Sequence, residues 1–260
     1  MADDLAGKVS IITGGASGYG YCIADQFVKA GAKVAIFSRT RDALDEAAVA
    51  LGGDVLAVPV DISDPDSVRA GFKTVVDHFG QLNILINCAA IGLMFKVDQG
   101  SDQQIADMVA CNLTGQIYCC REAIPLLRDA GGGVIVNISS ESTLNPFPYM
   151  SVYAATKAGL ETFTQGLRSE VAEDGIRVTL FRAGASIEGG NEGLKGSNFF
   201  KNMDPQVSAL ALPLWEQSGH MKFATGVTGG MDPVVLAESV LHVVTRSGNV
   251  NIDTVTARAL

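Results

Sequence analysis

No block of basic residues stands out in this chain, whose 28 acidic and 19 basic side chains leave a formal charge of -9. That balance argues against nucleic acid or an anionic membrane as the main partner. No stretch approaches the ~18 apolar residues of a membrane-spanning helix. The longest candidate, Asn83 to Phe95, is interrupted by Asn87 and reads better as a buried strand and its exit loop. The first residues, Met1 to Leu5, are acidic and lack the basic and apolar regions of a secretory signal, so a cytoplasmic location is expected. Histidine is scarce, with three widely spaced residues (His78, His220, His242), and a protein metal site is not expected. The five cysteines (Cys22, Cys88, Cys111, Cys119, Cys120) form no C-x-x-C pair or Cys/His cluster, and they read as small buried apolar groups in a reducing compartment. No internal repeat and no linker is visible.

What is present is a core-forming chain. Its 260 residues are 47% hydrophobic and 18% charged, the size and make-up of one large α/β domain spanning residues 1–260. Strand-like and helix-like segments alternate. Strands are expected at Lys8–Thr13, Lys33–Phe37, Val55–Val60, Leu82–Asn87, Val134–Ser139 and Arg177–Phe181. Helices are expected at Tyr19–Ala30, Arg41–Leu51, Asp64 to about Phe79, Ser101 to Arg128, and Val152–Ala172, the last with Gly159 and Gly166 facing close neighbours. This alternation implies a doubly wound, Rossmann-type parallel sheet with helices on both faces. The composition shifts once, at about 185–230, which is rich in Gly, Asn and Ser yet carries Phe199, Phe200, Met203, Trp215 and Phe223. A long irregular lid or substrate loop is expected there. A helix, Pro233–Val244, and a short edge strand, Asn251–Val255, close the chain.

After the first strand stands Thr13-Gly14-Gly15-Ala16-Ser17-Gly18-Tyr19-Gly20, then a helix. A glycine turn feeding a helix N-terminus makes an anion site from backbone N–H groups and the helix dipole, suited to a dinucleotide pyrophosphate. The spacing is G-x-x-x-G-x-G rather than the commoner G-x-G-x-x-G. The second strand ends Phe37-Ser38-Arg39-Thr40, without the acid that usually takes a ribose 2′-hydroxyl. Hydroxyls and a guanidinium suit a 2′-phosphate instead, so NADP is preferred, with NAD and an Arg stacked on adenine as the alternative.

Twelve residues separate Ser140 from Tyr153, and Lys157 lies four beyond, on the same helical face as the phenol. A phenol titrates near pH ~10, and a nearby ammonium favours its ionised form, which brings it toward use as an acid and base at neutrality. Pro146 and Pro148 keep the connection from being one helix, so Ser140 lies at a strand end and can face Tyr153. Ser139 is the rival hydroxyl, but neighbours on a strand point to opposite faces.

Together these motifs resemble the short-chain dehydrogenase/reductase family, in its compact subfamily, over nearly the whole chain. The family's cofactor turn is matched by Gly14, Gly18 and Gly20, and its active-site quartet by Asn112, Ser140, Tyr153 and Lys157. The resemblance implies that Tyr153 exchanges a proton with the carbonyl or alcohol oxygen and that Ser140 bonds the same oxygen. It implies that Lys157 binds the nicotinamide ribose and lowers the Tyr153 pKa, and that Asn112 holds a water linking Lys157 to solvent. Asp61 would bond the adenine amino group beside Ile62. Ser17, Tyr19, Ser38, Arg39, Thr40, Asn87, Ala89, Gly184 and Ser186 complete the expected cofactor contacts. There are departures: Asn87-Cys88-Ala89-Ala90 stands for Asn-Asn-Ala-Gly, and Ala183-Gly184 for Pro-Gly, with Glu188 at a threonine position.

The expected substrate wall is Ser142, Leu144, Asn145, Tyr149, Met94, Phe95 and the 185–225 loop. It is mostly apolar and suits a moderately hydrophobic secondary alcohol or ketone, with a cyclic one fitting well. Lys195 and Lys201 leave room for an anionic group. The expected activity is NAD(P)-dependent alcohol dehydrogenase or carbonyl reductase, in a homo-dimer or homo-tetramer as is common among such relatives. Rival readings are a non-catalytic nucleotide-binding scaffold, which needs no Tyr–Lys pair, and an epimerase or dehydratase, which reuses that pair in longer chains.

Overall fold

The computed structural model describes residues 4–186, 194, 199, 203–227 and 229–260. Among them seven strands form one parallel sheet: β1 (Val9–Thr13), β2 (Lys33–Ser38), β3 (Val55–Pro59), β4 (Ile84–Asn87), β5 (Gly133–Ser140), β6 (Ile176–Ala183) and β7 (Thr254–Ala257), in the order β3-β2-β1-β4-β5-β6-β7. Helices α1 (Gly18–Lys29), α2 (Arg41–Leu51), α3 (Pro65–Phe79), α4 (Asp102–Val109), α5 (Gly115–Asp129), α6 (Ser151–Glu170), α7 (Pro205–Gln217), α8 (His220–Thr225) and α9 (Pro233–Val244) join them. This is the doubly wound Rossmann-type fold. No described helix is long and apolar enough to cross a membrane.

Both faces of the sheet are covered, so its central strands are apolar throughout rather than alternating. Along β1, Ile12 packs with Ile36, Val136 and the α1 and α9 side chains Phe27 and Leu236, whereas its neighbour Ile11 packs on the opposite face with Leu85, Ile135 and Phe72 of α3. The strand order reverses beside β1, between β2 and β4, and a crevice opens at the carboxyl ends of the strands there.

Four expectations need correction. The single helix expected from Ser101 to Arg128 is two, joined by a π turn over Ala110–Thr114. Gly166 faces open space, while Gly159 does meet Leu113, its virtual Cβ lying 3.2 Å away. The 185–230 segment is not wholly irregular: α7 starts on Pro205 with Asp204 capping the Gln206 N–H, and its Ala211 and Trp215 are buried. The last strand starts at Thr254, because residues before it bond β6 outside the ladder, Thr179 Oγ1 donating to the Ile252 carbonyl at 2.7 Å. Ile187, Glu188, Lys195, Phe200 and Lys201 lie outside the described residues.

Candidate active site

The crevice is a cavity of about 870 Å³, within the range of ligand sites. Its floor is the glycine turn. Gly14 has φ 71°, its N–H bonds the Phe37 carbonyl at 2.8 Å, and a Cβ there would lie 2.9 Å from the Ala89 backbone. At Gly20 a Cβ would lie 2.3 Å from the Gly14 carbonyl oxygen, so neither position admits a side chain. Gly18, Tyr19 and Gly20 begin α1 and line the cavity with Ser17. The first N–H groups of a helix have no intrahelical acceptor, and here they border open space.

At one end of the cavity Ser38, Arg39 and Thr40 leave β2, with Arg39 and Thr40 exposed. Asp61 and Ile62 line it after β3. The Asp61 carboxylate accepts from the Ser63 N–H and hydroxyl at 2.9 and 2.6 Å, which fixes its rotamer. Ala89 also lines it, while Asn87 does not. Asn87 is fully buried behind the wall, its amide donating to Asn137 Oδ1 at 2.9 Å. Cys88 and Cys111 border the same space, and burial pushes the Cys88 thiol up to about 12, far from a reactive thiolate.

Ser140, Tyr153 and Lys157 converge on the wall beyond. Ser140 ends β5 and Tyr153 and Lys157 lie in α6. Burial pushes the Tyr153 phenol up to about 12, and a hydrogen bond from Ser140 opposes the shift. The expected lowering by Lys157 is not seen: Lys157 Nζ bonds the Ile138 carbonyl at 2.9 Å and sits 5.9 Å from the Tyr153 ring centre, so burial dominates. Burial also brings the Lys157 ammonium down to about 8. Ser139, as alternation requires, points away to Glu161 at 2.8 Å. Asn112 sits in the π turn, beneath the wall rather than in it. Its amide grips Ile91 twice, accepting from the N–H and donating to the carbonyl, both at 2.8 Å. Π turns inside helices often mark functional positions.

At the exit of β6, Gly184 and Ser186 line the cavity, and the Tyr19 hydroxyl donates to the Gly184 carbonyl at 2.7 Å. This phenol ties the glycine turn to the far wall.

A family model for short chain dehydrogenases matches residues 8–186. The chain belongs to the short-chain dehydrogenase family. An uncharacterized oxidoreductase of Staphylococcus aureus strain N315 is 30% identical over 98% of both chains. In three dimensions this short-chain dehydrogenase is similar to a 3-ketoacyl-(acyl-carrier-protein) reductase from Brucella melitensis solved with NADH, with TM-score 0.81, 26% identity and 97% of each chain covered. It shares its fold with a metagenomic short-chain oxidoreductase solved with NADP, with TM-score 0.78, 23% identity and 99% of each chain covered.

The substrate side of this oxidoreductase departs from expectation. Ser142 lines the cavity, but Leu144, Tyr149 and Met94 do not. Leu144 turns to solvent at 54% exposure, because the turn at Glu141–Thr143 carries it outward. Met94 and Tyr149 pack in the apolar cluster behind the wall. Tyr149 has φ 69°, a strained value for a bulky residue. The strain is held by the Phe95 N–H on its carbonyl at 2.9 Å and by Trp215 Nε1 on the Pro148 carbonyl at 2.8 Å. Phe147, Met150, Trp215 and Phe199 form the wall instead, with Phe199 edge-on to Tyr153 at 5.1 Å between ring centres. Glu141, a charged residue directly after the candidate serine and absent from the expected substrate wall, also lines the cavity.

Proposed function

We propose that this oxidoreductase interconverts a secondary alcohol and a ketone, using NADP in preference to NAD, on a moderately hydrophobic and in the best case cyclic substrate. The observation that carries the reading is the convergence of Ser140, Tyr153 and Lys157 on the wall of the cavity whose other end is the glycine turn. The residues fit a dinucleotide: the Cβ-free cradle of Gly14 and Gly20 at the start of α1 suits the pyrophosphate, Asp61 and Ile62 the adenine, and Arg39 with Ser38 and Thr40 a 2′-phosphate. When bound, the cofactor supplies or accepts the hydride.

The chain's own groups move the proton and place the substrate. A phenol held near 12 is neutral across the ordinary pH range, so Tyr153 is ready to donate to a carbonyl oxygen. Work in the oxidative direction needs a positive charge nearby to lower that value, as an oxidised nicotinamide or a nearer Lys157 ammonium would. Ser140 holds the reacting oxygen, and Lys157 holds the ribose hydroxyls. Asn112, clamped to Ile91, braces the end of β4 against α6, its amide also reaching the Thr156 hydroxyl at 3.3 Å. The apolar side chains of Phe147, Met150, Phe199 and Trp215 exclude water and favour a hydrocarbon ring. One domain carries cofactor cleft and substrate wall together, in a cytoplasmic dimer or tetramer.

A screen of cyclic and aryl alcohols and their ketones with NADP and NAD, following the absorbance of the reduced nicotinamide, tests the reading. Turnover of at least one pair supports it, and no turnover across the panel with either cofactor overturns it.

A further inference from the structure

The turn that follows Ser140 holds two polar side chains that the proposed chemistry leaves unused. Glu141 and Ser142 are each 3% exposed, and both line the cavity. Glu141 Oε1 accepts from the Ala185 N–H at 3.2 Å, but Glu141 Oε2 and Ser142 Oγ are buried with no hydrogen-bond partner. Thr143 differs: it is spent on the framework, donating to the Ser140 carbonyl and to Glu161. A buried polar atom left unpaired costs about 1–3 kcal/mol. Two of them, on consecutive residues of a wall otherwise made by Phe147, Met150, Phe199 and Trp215, form a position where a ligand group would recover that cost.

We propose that Glu141 and Ser142 form a polar subsite for a second hydroxyl group of the substrate, so that the preferred substrates are vicinal diols and the matching α-hydroxyketones. This rests on the alcohol–ketone reading above and names its substrate class. A hydroxyl has one proton to give and lone pairs to receive. It donates to Glu141 Oε2 and accepts from the Ser142 hydroxyl, satisfying both orphans at once. The subsite is coupled to the reacting oxygen because the Ser142 N–H bonds Ser140 Oγ at 3.2 Å. An oxygen held by Ser140 and one held next to it by Glu141 and Ser142 match oxygens on adjacent carbons. An ammonium in place of the second hydroxyl is disfavoured, since the Arg258 guanidinium already acts on Glu141. In the oxidative direction one carbinol carbon gives up a hydride, with the oxidised nicotinamide as acceptor of the electron pair. Its oxygen gives up a proton by way of Tyr153, and the second hydroxyl keeps all its atoms.

The test compares kcat/KM of the NADP-loaded protein for cyclohexanol, for cis- and trans-1,2-cyclohexanediol, and for 2-aminocyclohexanol. One diol should exceed cyclohexanol by about tenfold or more, the size of one good hydrogen bond. Glu141→Leu should collapse that ratio at least tenfold, mainly through KM for the diol, and Ser142→Ala should reduce it severalfold. Glu141→Gln, which keeps the shape and an acceptor, should fall between wild type and Glu141→Leu. A wild-type ratio near one, a ratio unchanged in Glu141→Leu and Glu141→Gln, or a preference for the amino alcohol overturns the subsite while leaving the alcohol–ketone reading intact. Turnover of none of these alcohols, nor of their ketones, with either cofactor overturns that reading. In that case the subsite is read from thermal unfolding with NADP present: a diol-induced rise in Tm in wild type and not in Glu141→Leu supports it, and no rise overturns it as well.

Discussion

Glu161 takes both faces of the Arg182 fork, Nε at 2.8 Å and Nη2 at 2.6 Å, while also accepting from Ser139 and Thr143. One carboxylate thus ties α6, the end of β5, the turn after Ser140 and β6 together next to the proposed catalytic face. Burial alone would raise its pKa, but the bonds from Arg182, Thr143 and Ser139 hold it below the usual carboxylate range. The stability it gives is present above the unfolded pKa and lost as pH falls through the lower, folded value. Glu161→Leu should destabilise the protein by about 3 kcal/mol at pH 7, because the largely buried Arg182 is left unpaired. The loss should shrink toward pH 3. Urea unfolding at both pH values checks it, and an equally stable variant would refute the role.

Glu141 gives the opposite sign. Burial raises its carboxyl to about 7, against the pull of the Ala185 N–H and Arg258. The folded state therefore holds its proton between the unfolded value and about pH 7, and stability falls as pH rises through that window. Glu141→Gln removes the cost. It should gain about 1–2 kcal/mol over wild type at pH 8, discounted for partial solvation in the cavity, and little at pH 4.5. Calorimetry across this range should show Tm curves that converge at the acid end.

Tyr153→Phe should lower kcat about 10³-fold, within the range for a lost acid–base group, with NADP affinity within threefold of wild type. Steady-state rates and fluorescence titration measure the two separately. Near-normal turnover would falsify the assignment of Tyr153.

Arg39→Ala should raise the Kd for NADP about 10- to 100-fold, the worth of one charge-assisted contact. NAD should change much less. Paired titrations read the difference, and equal loss for both cofactors would point to stacking on adenine rather than to a 2′-phosphate.

Gly92→Ala tests the Phe199 cap. A Cβ at Gly92 would lie 2.2 Å from the Phe199 ring, so the ring must move and its edge contact with Tyr153 must change. Rates for bulky and small alcohols should shift in relative order, while cofactor affinity holds. An unchanged substrate order would show that Phe199 does not shape the pocket.

The glycine turn, the Ser140–Tyr153–Lys157 face and the strand alternation were legible because each is set by local rules: φ freedom, helical repeat and pleat. What escaped was set by distant partners. The break at Ala110–Thr114 leaves no mark in the periodicity; it goes with the close approach of Gly115 to Ile62, where a Cβ would lie 2.6 Å from the carbonyl oxygen. Tyr149 looked like a pocket wall until its turn, pinned by Phe95 and Trp215, took it behind the wall. Neither the four-residue spacing nor the family resemblance carries the burial that outweighs any lowering of Tyr153 by Lys157. Glu141 does carry a sequence signal, a carboxylate directly after a buried strand, and the structure buries it.

The five residues from Ala110 to Thr114 hold one more position per turn than an ordinary helix would. Excising one of them would regularise the helix and should favour its local stability. It would also close the widened turn that carries Asn112, parting its amide from the Ile91 N–H and carbonyl. An engineer smoothing this chain toward ideal geometry would be deleting the insertion that aims Asn112, and the molecule would gain firmness by losing its brace.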